Sequence, residues 1–467
     1  MTIVSIDIGS TWTKGAAFSL SSDGTLALLN RASHPTTVHD LSEGFSRVLG
    51  GLVGHDDEFE LFYSSSAKGG LAVAAVGLVP ELTSEMAKMT ACSSGAKVTQ
   101  TFAYELSDDD VSSLMLSAPD IILLTGGSDG GNSFYPVRNA GRIAGADLAA
   151  AIVFAGNRSA KDAVARILQG KHLVCTENVL PALDSPNPEP ARAAIRDIFL
   201  TRITSGKGLD RIVADTGREP CPTPYALYEF CQSLAAHAPE LGEFLLVDMG
   251  GATTDVYSVH NQAPTPGTVH RGLPEPRLKR SVEGDLGMRV SAITAAEAAR
   301  EALGSVECAI SDLASYAAKV KAAPEHLAGS VEEQHFDELL AGINVATSVM
   351  RHVGRAHEVA TADGVVTVQT GRDLSSVRTI IGTGGYLSHT REFSPAIWLS
   401  QIGVDRHGKR VLSPRCERYL RDPMNILPLL ANVSRGFPGA AARAAVNLLT
   451  PNQPSKPPLT TKVLLAQ

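Results

Sequence analysis

The chain has 467 residues, 44% of them hydrophobic, which predicts two to four domains, and its net charge of -8 argues against a general nucleic-acid binder. No stretch of 18 apolar residues occurs, and MTIVSIDIGS has no basic segment before a long apolar run, so neither a transmembrane helix nor a signal peptide is predicted. The six cysteines are scattered without a CxxC pair, which favours free thiols in a reducing cytoplasm over disulfides or a thiolate metal site.

Residues 2–32 predict three consecutive strands, IVSIDIG, WTKGAAFSL and LALLNRA. The first two strands are joined by DIGSTWTK, which combines an aspartate at a strand end with a glycine, several hydroxyls and a lysine. A glycine turn lets the backbone approach a ligand closely, and the lysine suits phosphate oxygens. This hairpin is therefore a candidate phosphate loop, and its residues are Asp7, Gly9, Ser10, Thr11, Thr13 and Lys14.

Residues 59–180 alternate short apolar runs with helical patterns, which predicts βαβ units around a parallel sheet. One of the apolar runs, DIILL, leads into the glycine-rich segment TGGSDGG at 125–131. That segment lacks the spacing of the GxGxxG fingerprint, so it is interpreted either as a structural or partner-contacting loop or as a phosphate loop. A proline-rich linker, PALDSPNPEPA, and a helix over 191–203 follow.

A helix over 223–238 runs into a second glycine hairpin, LLVDMGGATTDVYS at 245–258. Its residues Asp248, Gly250, Gly251, Thr253 and Thr254 echo Asp7, Gly9, Ser10, Thr11 and Thr13. Amides and hydroxyls around a glycine turn can cradle anionic oxygens, and carboxylates beside such a cradle make sense only if a cation is also present. Asp255 either caps this loop or contacts the cation.

The rest of the chain predicts mainly helices, with a loop over 261–280. The basic cluster Arg277–Arg280 in that loop is interpreted as solvated, with nucleotide contact as the alternative. The strand RTIIGTGG ends in a glycine turn on which a flat base could lie, formed by Gly382, Thr383, Gly384 and Gly385. The predicted helices cover 287–303, 308–322, 331–357, 422–433 and 438–449, and a flexible tail covers 451–467.

The ordered set DIGSTWTK, VDMGGATTD and IIGTGG resembles the two phosphate loops and the adenosine loop of the actin, Hsp70 and sugar-kinase ATPase superfamily. EPCPTPYALYEF and SVEGDLGMRVSA are similar to its connecting and post-phosphate segments. The resemblance implies an α/β fold of duplicated actin-like (ribonuclease H-like) ATPase lobes with an inserted βαβ domain. The expected divisions are lobe I at 1–58, the insertion at 59–210, a connecting segment of lobe I at 211–240, lobe II at 241–450 and the tail at 451–467.

Within this superfamily the chain resembles the reactivating accessory proteins of coenzyme-B12-dependent glutamate (methylaspartate) mutase. The resemblance rests on SSSAKGGLAVAAVGLVPELT, DIILLTGGSDGGN, VDMGGATTDVYSV, SVEGDLGMRVSA and DPMNILPLL. It implies a weak Mg-dependent ATP hydrolase that acts as a chaperone and releases damaged cobalamin from the mutase. The implied partner is the mutase, through its cobalamin-binding subunit, and neither a nucleic acid nor a membrane; a small second subunit or a homodimer both remain open.

The same resemblance implies a division of roles at the nucleotide. Asp7 and Asp248 are expected to hold Mg²⁺ largely through water, and Asp248 also to orient the attacking water. ATP and ADP phosphates would meet Lys14 and the two loops, and adenosine the third glycine segment. A small-molecule kinase or hydantoinase-like enzyme and an actin-like filament protein are the alternatives, and 59–210 shows no obvious sugar-binding set of Asn, Asp and Glu.

Overall fold

A computed structural model describes residues 1–37, 39–54, 57–66, 71–204, 208–263, 265–303, 307–362 and 364–451. The chain divides into two compact units. The first unit comprises Met1–Ala67, Ala226–Arg271 and Glu275–Gln467, and the second comprises Lys68–Tyr225 and Gly272–Pro274. No helix among the described residues is long and apolar enough to cross a membrane. The predicted flexible tail lies outside the described residues apart from its first residue.

The N-terminal part of the first unit is mainly strand, as predicted. Its elements are β1 (Thr2–Ile8), β2 (Trp12–Leu20), β3 (Leu26–Pro35), α1 (Leu41–Gly50) and β4 (Phe59–Ser65).

The second unit alternates strands and helices. Its elements are β5 (Ala72–Val76), α2 (Glu85–Ser93), β6 (Lys97–Phe102), α3 (Asp108–Ser117), β7 (Ile121–Leu124), α4 (Phe134–Ala144), β8 (Ala151–Phe154), α5 (Lys161–Ile167), β9 (Leu173–Cys175), α6 (Glu189–Thr204), α7 (Leu209–Thr216) and β10 (Cys221–Pro222). Helix α8 (Thr223–His237) then leads back into the first unit.

The remainder of the first unit carries its longest helices. Its elements are β11 (Phe244–Met249), β12 (Thr254–Val259), β13 (Thr268–Arg271), β14 (Leu278–Glu283), α9 (Ala292–Leu303), α10 (Glu307–Ala322), α11 (Val331–His352), β15 (Arg355–Thr361), β16 (Gly364–Thr370), β17 (Thr379–Thr383), α12 (Gly385–His389), α13 (Pro395–Leu399), β18 (Arg410–Val411), β19 (Arg418–Arg421), α14 (Leu427–Ser434), α15 (Pro438–Leu448) and β20 (Thr450–Pro451).

Two sheets of the first unit repeat one topology. In one, β1 pairs antiparallel with β2 and parallel with β4, and β2 pairs antiparallel with β3. In the other, β11 pairs antiparallel with β12 and parallel with β17, and β12 pairs antiparallel with β14. The order and direction of four strands are thus the same twice, which confirms the predicted duplication of α/β lobes.

Strand β4 belongs to the first of these sheets, although the sequence analysis placed 59–65 in the inserted domain. The apolar run FELFYSS identifies a buried strand, but nothing in it specifies which strand lies beside it. Strand β13 and the first three residues of β14 lie in the stretch 261–280 that was predicted as a loop. Strand β14 extends the sheet that contains β11 and β12, and β13 belongs to a separate sheet of order β13-β16-β15-β18.

The predicted helix over 331–357 ends at His352, and β15 begins at Arg355. Gly354 lies between them, so close to Gly371 that a Cβ on Gly354 would come within 2.5 Å of the Gly371 backbone. The chain therefore leaves the helix where two backbone segments must pack directly against each other. The sequence pattern alone does not reveal this packing.

The second unit contains the predicted parallel sheet, with strand order β6-β5-β7-β8-β9. Counted within the unit this is order 2-1-3-4-5, which is that of an open doubly wound sheet. Its core combines inward residues of β7 and β8 with apolar residues of α3, α4 and α5, including Ile122, Ile152, Leu114 and Ile143. The prediction of βαβ units is confirmed.

Candidate functional site

The first glycine loop is a tight hairpin between β1 and β2. Asp7 lies directly opposite Lys14, so their side chains share one face of the sheet. The turn closes with a hydrogen bond of 3.1 Å from the Gly9 amide to the Trp12 carbonyl oxygen. A Cβ on Gly9 would lie 2.7 Å from that same oxygen, so the tightness of the turn requires glycine.

The second loop has the same geometry. Asp248 lies opposite Asp255, and the Gly250 amide donates a hydrogen bond of 2.9 Å to the Thr253 carbonyl oxygen. The register makes Asp248 the counterpart of Asp7 and Asp255 the counterpart of Lys14. The sequence analysis predicted the first correspondence, and the structure supplies the second.

The sequence echo is right for one pair of threonines and wrong for the other, because Thr13 corresponds to Thr254 but Thr11 does not correspond to Thr253. Counting from the matched aspartates, Thr11 is equivalent to Ala252, and Thr253 is equivalent to Trp12. The sequence pattern paired Thr11 with Thr253 because both carry hydroxyls, whereas the strand register determines which residues are equivalent.

The tips of the two loops face each other. The Thr11 Cγ2 atom lies 3.8 Å from the position of a Cβ built on Gly251. The loops therefore border one shared space, and glycine at position 251 keeps side-chain atoms out of it.

The carbonyl groups of the first loop are used inside the protein. The Thr36 hydroxyl donates to the Gly9 carbonyl oxygen at 2.9 Å, and the Thr36 amide donates to the Thr11 carbonyl oxygen at 2.9 Å. By contrast, the amides of Ser10 and Thr11 make no hydrogen bond within the described part of the chain. The loop thus offers donors, rather than acceptors, to a ligand.

The second loop shows the same asymmetry. The Gly251 carbonyl oxygen accepts from the Arg289 amide at 2.8 Å and from the Val290 amide at 2.7 Å, and the Ala252 carbonyl oxygen accepts from the Ser291 hydroxyl at 2.7 Å. Among the described residues, the amides of Gly251 and Ala252 have no hydrogen-bond partner. These contacts come from SVEGDLGMRVSA, the segment predicted to follow the phosphates.

Asp7 is buried, and side chains from β4 and α14 fix its carboxylate. The Ser64 hydroxyl on β4 donates to Asp7 Oδ1 at 2.9 Å. Asn432 on α14 donates to the Ser64 hydroxyl at 2.9 Å and to the Ile6 carbonyl oxygen at 3.1 Å. This chain of contacts fixes the carboxylate, and sequence reasoning missed both Ser64 and Asn432.

Asp248 is only half-buried, but its surroundings disfavour its charge. Burial, together with the negative charges of Asp255, Asp7 and Asp422, raises the pKa of Asp248 to about 7, whereas Lys14 opposes this rise. Carboxylates from both hairpins are therefore close enough to interact across the shared space. Such a cluster favours binding of a cation.

Asp422 was not predicted as a site residue. It is buried directly after β19, where it accepts hydrogen bonds from the Thr383 hydroxyl at 2.8 Å and from the amides of Ile426 and Leu427 at 3.0 and 2.9 Å. Burial raises the pKa of Asp422, and these three donors oppose that rise. A short strand followed directly by an aspartate is the signal that could have identified it.

Asp255 does not have an ordinary loop-capping role. Arg280 donates to Asp255 Oδ1 through Nε at 3.0 Å and through Nη2, and both side chains are buried. The other carboxylate oxygen accepts from the Thr253 hydroxyl at 3.3 Å. The basic cluster Arg277–Arg280 is therefore not a solvated loop throughout, because Arg280 lies on β14 and neutralises Asp255.

Two of the threonines predicted to bind nucleotide point away from the aspartates. The Thr13 hydroxyl lies 3.1 Å from the Thr36 hydroxyl, and the Thr254 hydroxyl donates to the Leu286 carbonyl oxygen at 2.9 Å. Both side chains are buried, on the face of their sheet opposite to Asp7 and Asp248. The structure brings together Asp7, Lys14, Asp248 and the loop tips, and it excludes these two hydroxyls from that group.

The third glycine segment has mixed roles. A Cβ on Gly382 would lie 2.3 Å from the Tyr419 hydroxyl, and one on Gly384 would lie 2.1 Å from the Met249 carbonyl oxygen. These two glycines are needed for internal packing, and Gly384 also has a φ of +94°. Only Gly385 is exposed and has open space around its Cα, so it is the one member of this segment positioned to contact a ligand.

The donor set suits a cation bound partly through water. Within the described residues, no three histidine, cysteine or carboxylate side chains are placed to hold one ion directly. Asp7 and Asp248 supply hard oxygen ligands, and Mg²⁺ typically retains several waters when one or two carboxylates bind it. The residues present therefore fit the magnesium site expected from the sequence.

Comparison with solved structures finds low similarity over most of the chain. One is acetone carboxylase in a nucleotide-free structure, with 11% identity, a TM-score of 0.37 and coverage of 92% of this chain and 70% of that chain. Others are the 2-hydroxyisocaproyl-CoA dehydratase activator of Clostridium difficile with bound ADPNP (10% identity, TM-score 0.31, 96% and 97% coverage) and a nucleotide-free diol dehydratase-reactivating factor (10% identity, TM-score 0.31, 93% and 99% coverage).

Sequence comparison finds much closer relatives. The model of the MutL protein family matches residues 3–449. Protein MutL of Clostridium tetanomorphum is 37% identical over 456 residues, which cover 94% of this chain and 97% of that protein. The family match over residues 3–449 spans the two glycine hairpins, the second unit and the segment that contains Asp422. The chain therefore belongs to the MutL protein family.

Proposed function

We propose that this protein is an ATP-dependent reactivating chaperone that releases damaged cobalamin from an adenosylcobalamin-dependent mutase, specifically glutamate (methylaspartate) mutase. The observation that carries the nucleotide part of the proposal is the pair of facing hairpins. Each presents an aspartate at a strand end and loop amides that have no acceptor among the described residues.

The hairpins supply what phosphoryl transfer needs. Among the described residues, the tip amides of both loops have no protein acceptor, and together with Lys14 they match the negative oxygens of ATP phosphates. Asp248 ends its strand beside these loops, where its carboxylate can orient an attacking water, and Mg²⁺ bound there would lower the pKa of about 7 that it has without metal. We assign water orientation to Asp248, phosphate binding to Lys14, and ion binding to Asp7 together with Asp248.

A cation is required by the charges. At an effective dielectric constant near 20, two like charges about 4 Å apart repel by roughly 4 kcal/mol, and triphosphate would meet several carboxylates. Mg²⁺ held by Asp7 and Asp248 would reverse that repulsion. Of the other acids near Asp248, Asp255 is paired with Arg280, and Asp422 accepts hydrogen bonds from one hydroxyl and two backbone amides.

The partner assignment rests on the resemblance to reactivating accessory proteins, and membership of the MutL family is consistent with it. Cofactor release needs a switch between two states more than it needs fast turnover. To change the ratio of the two states from 1:99 to 99:1, ATP must bind one state more favourably than the other by about 5.5 kcal/mol. A triphosphate that contacts both hairpins can supply that preference, because loss of the γ-phosphate removes contacts on both sides.

The proposal is tested by a reactivation assay. Glutamate mutase, inactivated by turnover or loaded with a cobalamin lacking its adenosyl group, receives this protein, Mg-ATP and fresh adenosylcobalamin. Recovery of mutase activity that requires ATP and is lost with Asp248→Asn supports the proposal. An absence of recovery with steady ATP hydrolysis would overturn the assigned partner and favour a small-molecule kinase or hydantoinase-like activity.

A further inference from the structure

The second unit presents an exposed cluster of aromatic side chains near the carboxyl ends of its parallel strands. Loops at these ends of an open doubly wound sheet are where such domains commonly bind ligands or partners. The glycine-rich loop 125–131 after β7 lies at this edge and is fixed there by two buried asparagines. Asn178 donates to the Gly127 carbonyl oxygen at 2.9 Å, and Asn157 donates to the Gly131 carbonyl oxygen at 3.0 Å.

Tyr104, just after β6, is held in a strained and exposed position. Its φ is +66°, a left-handed conformation that is unusual for a bulky residue, and its side chain is 55% exposed. Buried Asn139 maintains this geometry from both sides, since it donates to the Tyr104 carbonyl oxygen and accepts from the Leu106 amide, both at 2.9 Å. The strained backbone thus holds a large aromatic residue that is more than half exposed.

A second exposed aromatic, Phe134, is linked to the Tyr104 segment through Arg138. Arg138 has its guanidinium 5.9 Å from the centre of the Phe134 ring and an ion pair of 2.8 Å with Glu105, the neighbour of Tyr104. Phe134 is 59% exposed. Tyr104, Glu105, Phe134 and Arg138 thus form one continuous surface, called the aromatic patch below. Its composition is that of a protein-binding hot spot, in which tyrosine and arginine predominate.

The rim of the patch is acidic. The first turn of α3 carries Asp108, Asp109 and Asp110. Asp108 pairs with Arg142, whereas the exposed Asp109 and the Asp110 carboxylate, whose donor Ser107 is neutral, present their negative charges to a partner. A complementary surface would have an apolar centre and a Lys- or Arg-bearing edge.

We propose that the aromatic patch is the docking surface for the mutase, through a mutase face with an apolar centre and a basic edge. This inference rests on the proposed function and adds to it the part of the chain that holds the partner. It is independent of the nucleotide site, since all residues of the patch lie in the second unit.

The test is direct binding of purified mutase components to the full-length protein, measured by calorimetry or interferometry. Tyr104→Gly removes the ring but accepts a φ of +66° without strain, so this variant should fold at least as stably as the wild type. Phe134→Ser is the second variant. Leu116→Ser, at a residue that is 90% exposed near the other end of α3, is the matched control.

Each patch variant is expected to weaken mutase binding about 10- to 100-fold, with ATP hydrolysis in the absence of mutase unchanged. Asp109→Lys should weaken binding most at low salt. If the wild type binds the mutase and both patch variants bind within about twofold of it, the docking surface is wrong while the proposed function stands. If the wild type binds no mutase component, both the assigned partner and the proposed function fail.

Discussion

Lys14 and Asp255 occupy the same position in two equivalent hairpins but carry opposite charges. Lys14 faces Asp7 across the first hairpin, and Asp255 faces Asp248 across the second. The duplication therefore produces an asymmetric site. One hairpin contributes a cation for phosphate, and the other contributes a second carboxylate whose charge is cancelled locally by Arg280.

The pairing of Arg280 with Asp255 predicts a large stability effect. Arg280→Met leaves a buried carboxylate without its partner, which should lower the free energy of unfolding by about 3 to 5 kcal/mol, as measured by urea denaturation. Adding Asp255→Leu should restore much of the loss. Arg47→Met is the control, because its ion pair with Glu43 is exposed and contributes at most about 1 kcal/mol. Equal effects of Arg280→Met and Arg47→Met would contradict this account.

Asp248 predicts a specific dependence of stability on pH. Its pKa is about 7 in the folded protein against an ordinary 3.8, so between these values the folded state keeps a proton that the unfolded state has lost. The stability contributed by this proton is fully present near pH 4 and is lost as pH rises through 7.

Asp248→Asn removes the ionisable group, so the variant does not lose this stability as pH rises. Without nucleotide or Mg²⁺, the variant should therefore melt at least about 2 °C above the wild type at pH 8 and show no such advantage near pH 4. The measurement is a thermal melt across this pH range. If the stability of the wild type rises between pH 5 and 8 by as much as the stability of the variant, the raised pKa of Asp248 is excluded.

The four threonines of the hairpins should separate into two classes. Thr11→Val and Thr253→Val act at the loop tips and are expected to weaken ATP binding several-fold. Thr11→Val should cost little stability, and Thr253→Val should cost less than about 1 kcal/mol, because its hydroxyl donates only a long hydrogen bond of 3.3 Å to Asp255. Thr13→Val and Thr254→Val remove internal hydrogen bonds, so they should cost about 1 kcal/mol of stability and leave ATP affinity unchanged. Calorimetric titration with Mg-ATP distinguishes the classes, and a loss of affinity in the second class would contradict the assigned sheet faces.

The third glycine segment gives a matched pair of substitutions. Gly385→Ala meets open space and should preserve stability while altering nucleotide affinity. Gly382→Ala would force a Cβ within 2.3 Å of the Tyr419 hydroxyl and should destabilise the protein by more than about 1 kcal/mol. Thermal melts with and without Mg-ATP measure both effects. Unaltered affinity in Gly385→Ala would remove this segment from the nucleotide site.

The hairpins and the parallel sheet of the second unit could be predicted from local sequence patterns. Strand periodicity, a terminal aspartate and a glycine turn are all contained within a dozen residues, so DIGSTWTK and VDMGGATTD could be recognised directly. The direction of individual side chains was harder. Thr13 and Thr254 face the opposite side of their sheets because register, rather than residue type, decides orientation.

The site contacts that the sequence did not predict are formed by residues far apart in the chain. Ser64 supports Asp7 from a strand more than fifty residues away, and Asn432 supports Ser64 from a helix near the C-terminus. Arg280 was interpreted as solvated because its neighbours are charged, yet β14 carries it inward to Asp255. Periodicity does not identify such partners, since each contact depends on how distant strands meet.

The central claim is that two facing hairpins form one magnesium-dependent ATP site, and equilibrium binding tests it most directly. ATP affinity should be measured by calorimetry with and without Mg²⁺ for the wild type, for Asp248→Asn and for the control Asp23→Asn at an exposed turn. We predict that the wild type and the control bind ATP tightly only with Mg²⁺, and that Asp248→Asn loses most of that Mg²⁺ dependence. ATP binding that is absent, or equally strong without Mg²⁺ in all three proteins, would contradict the account.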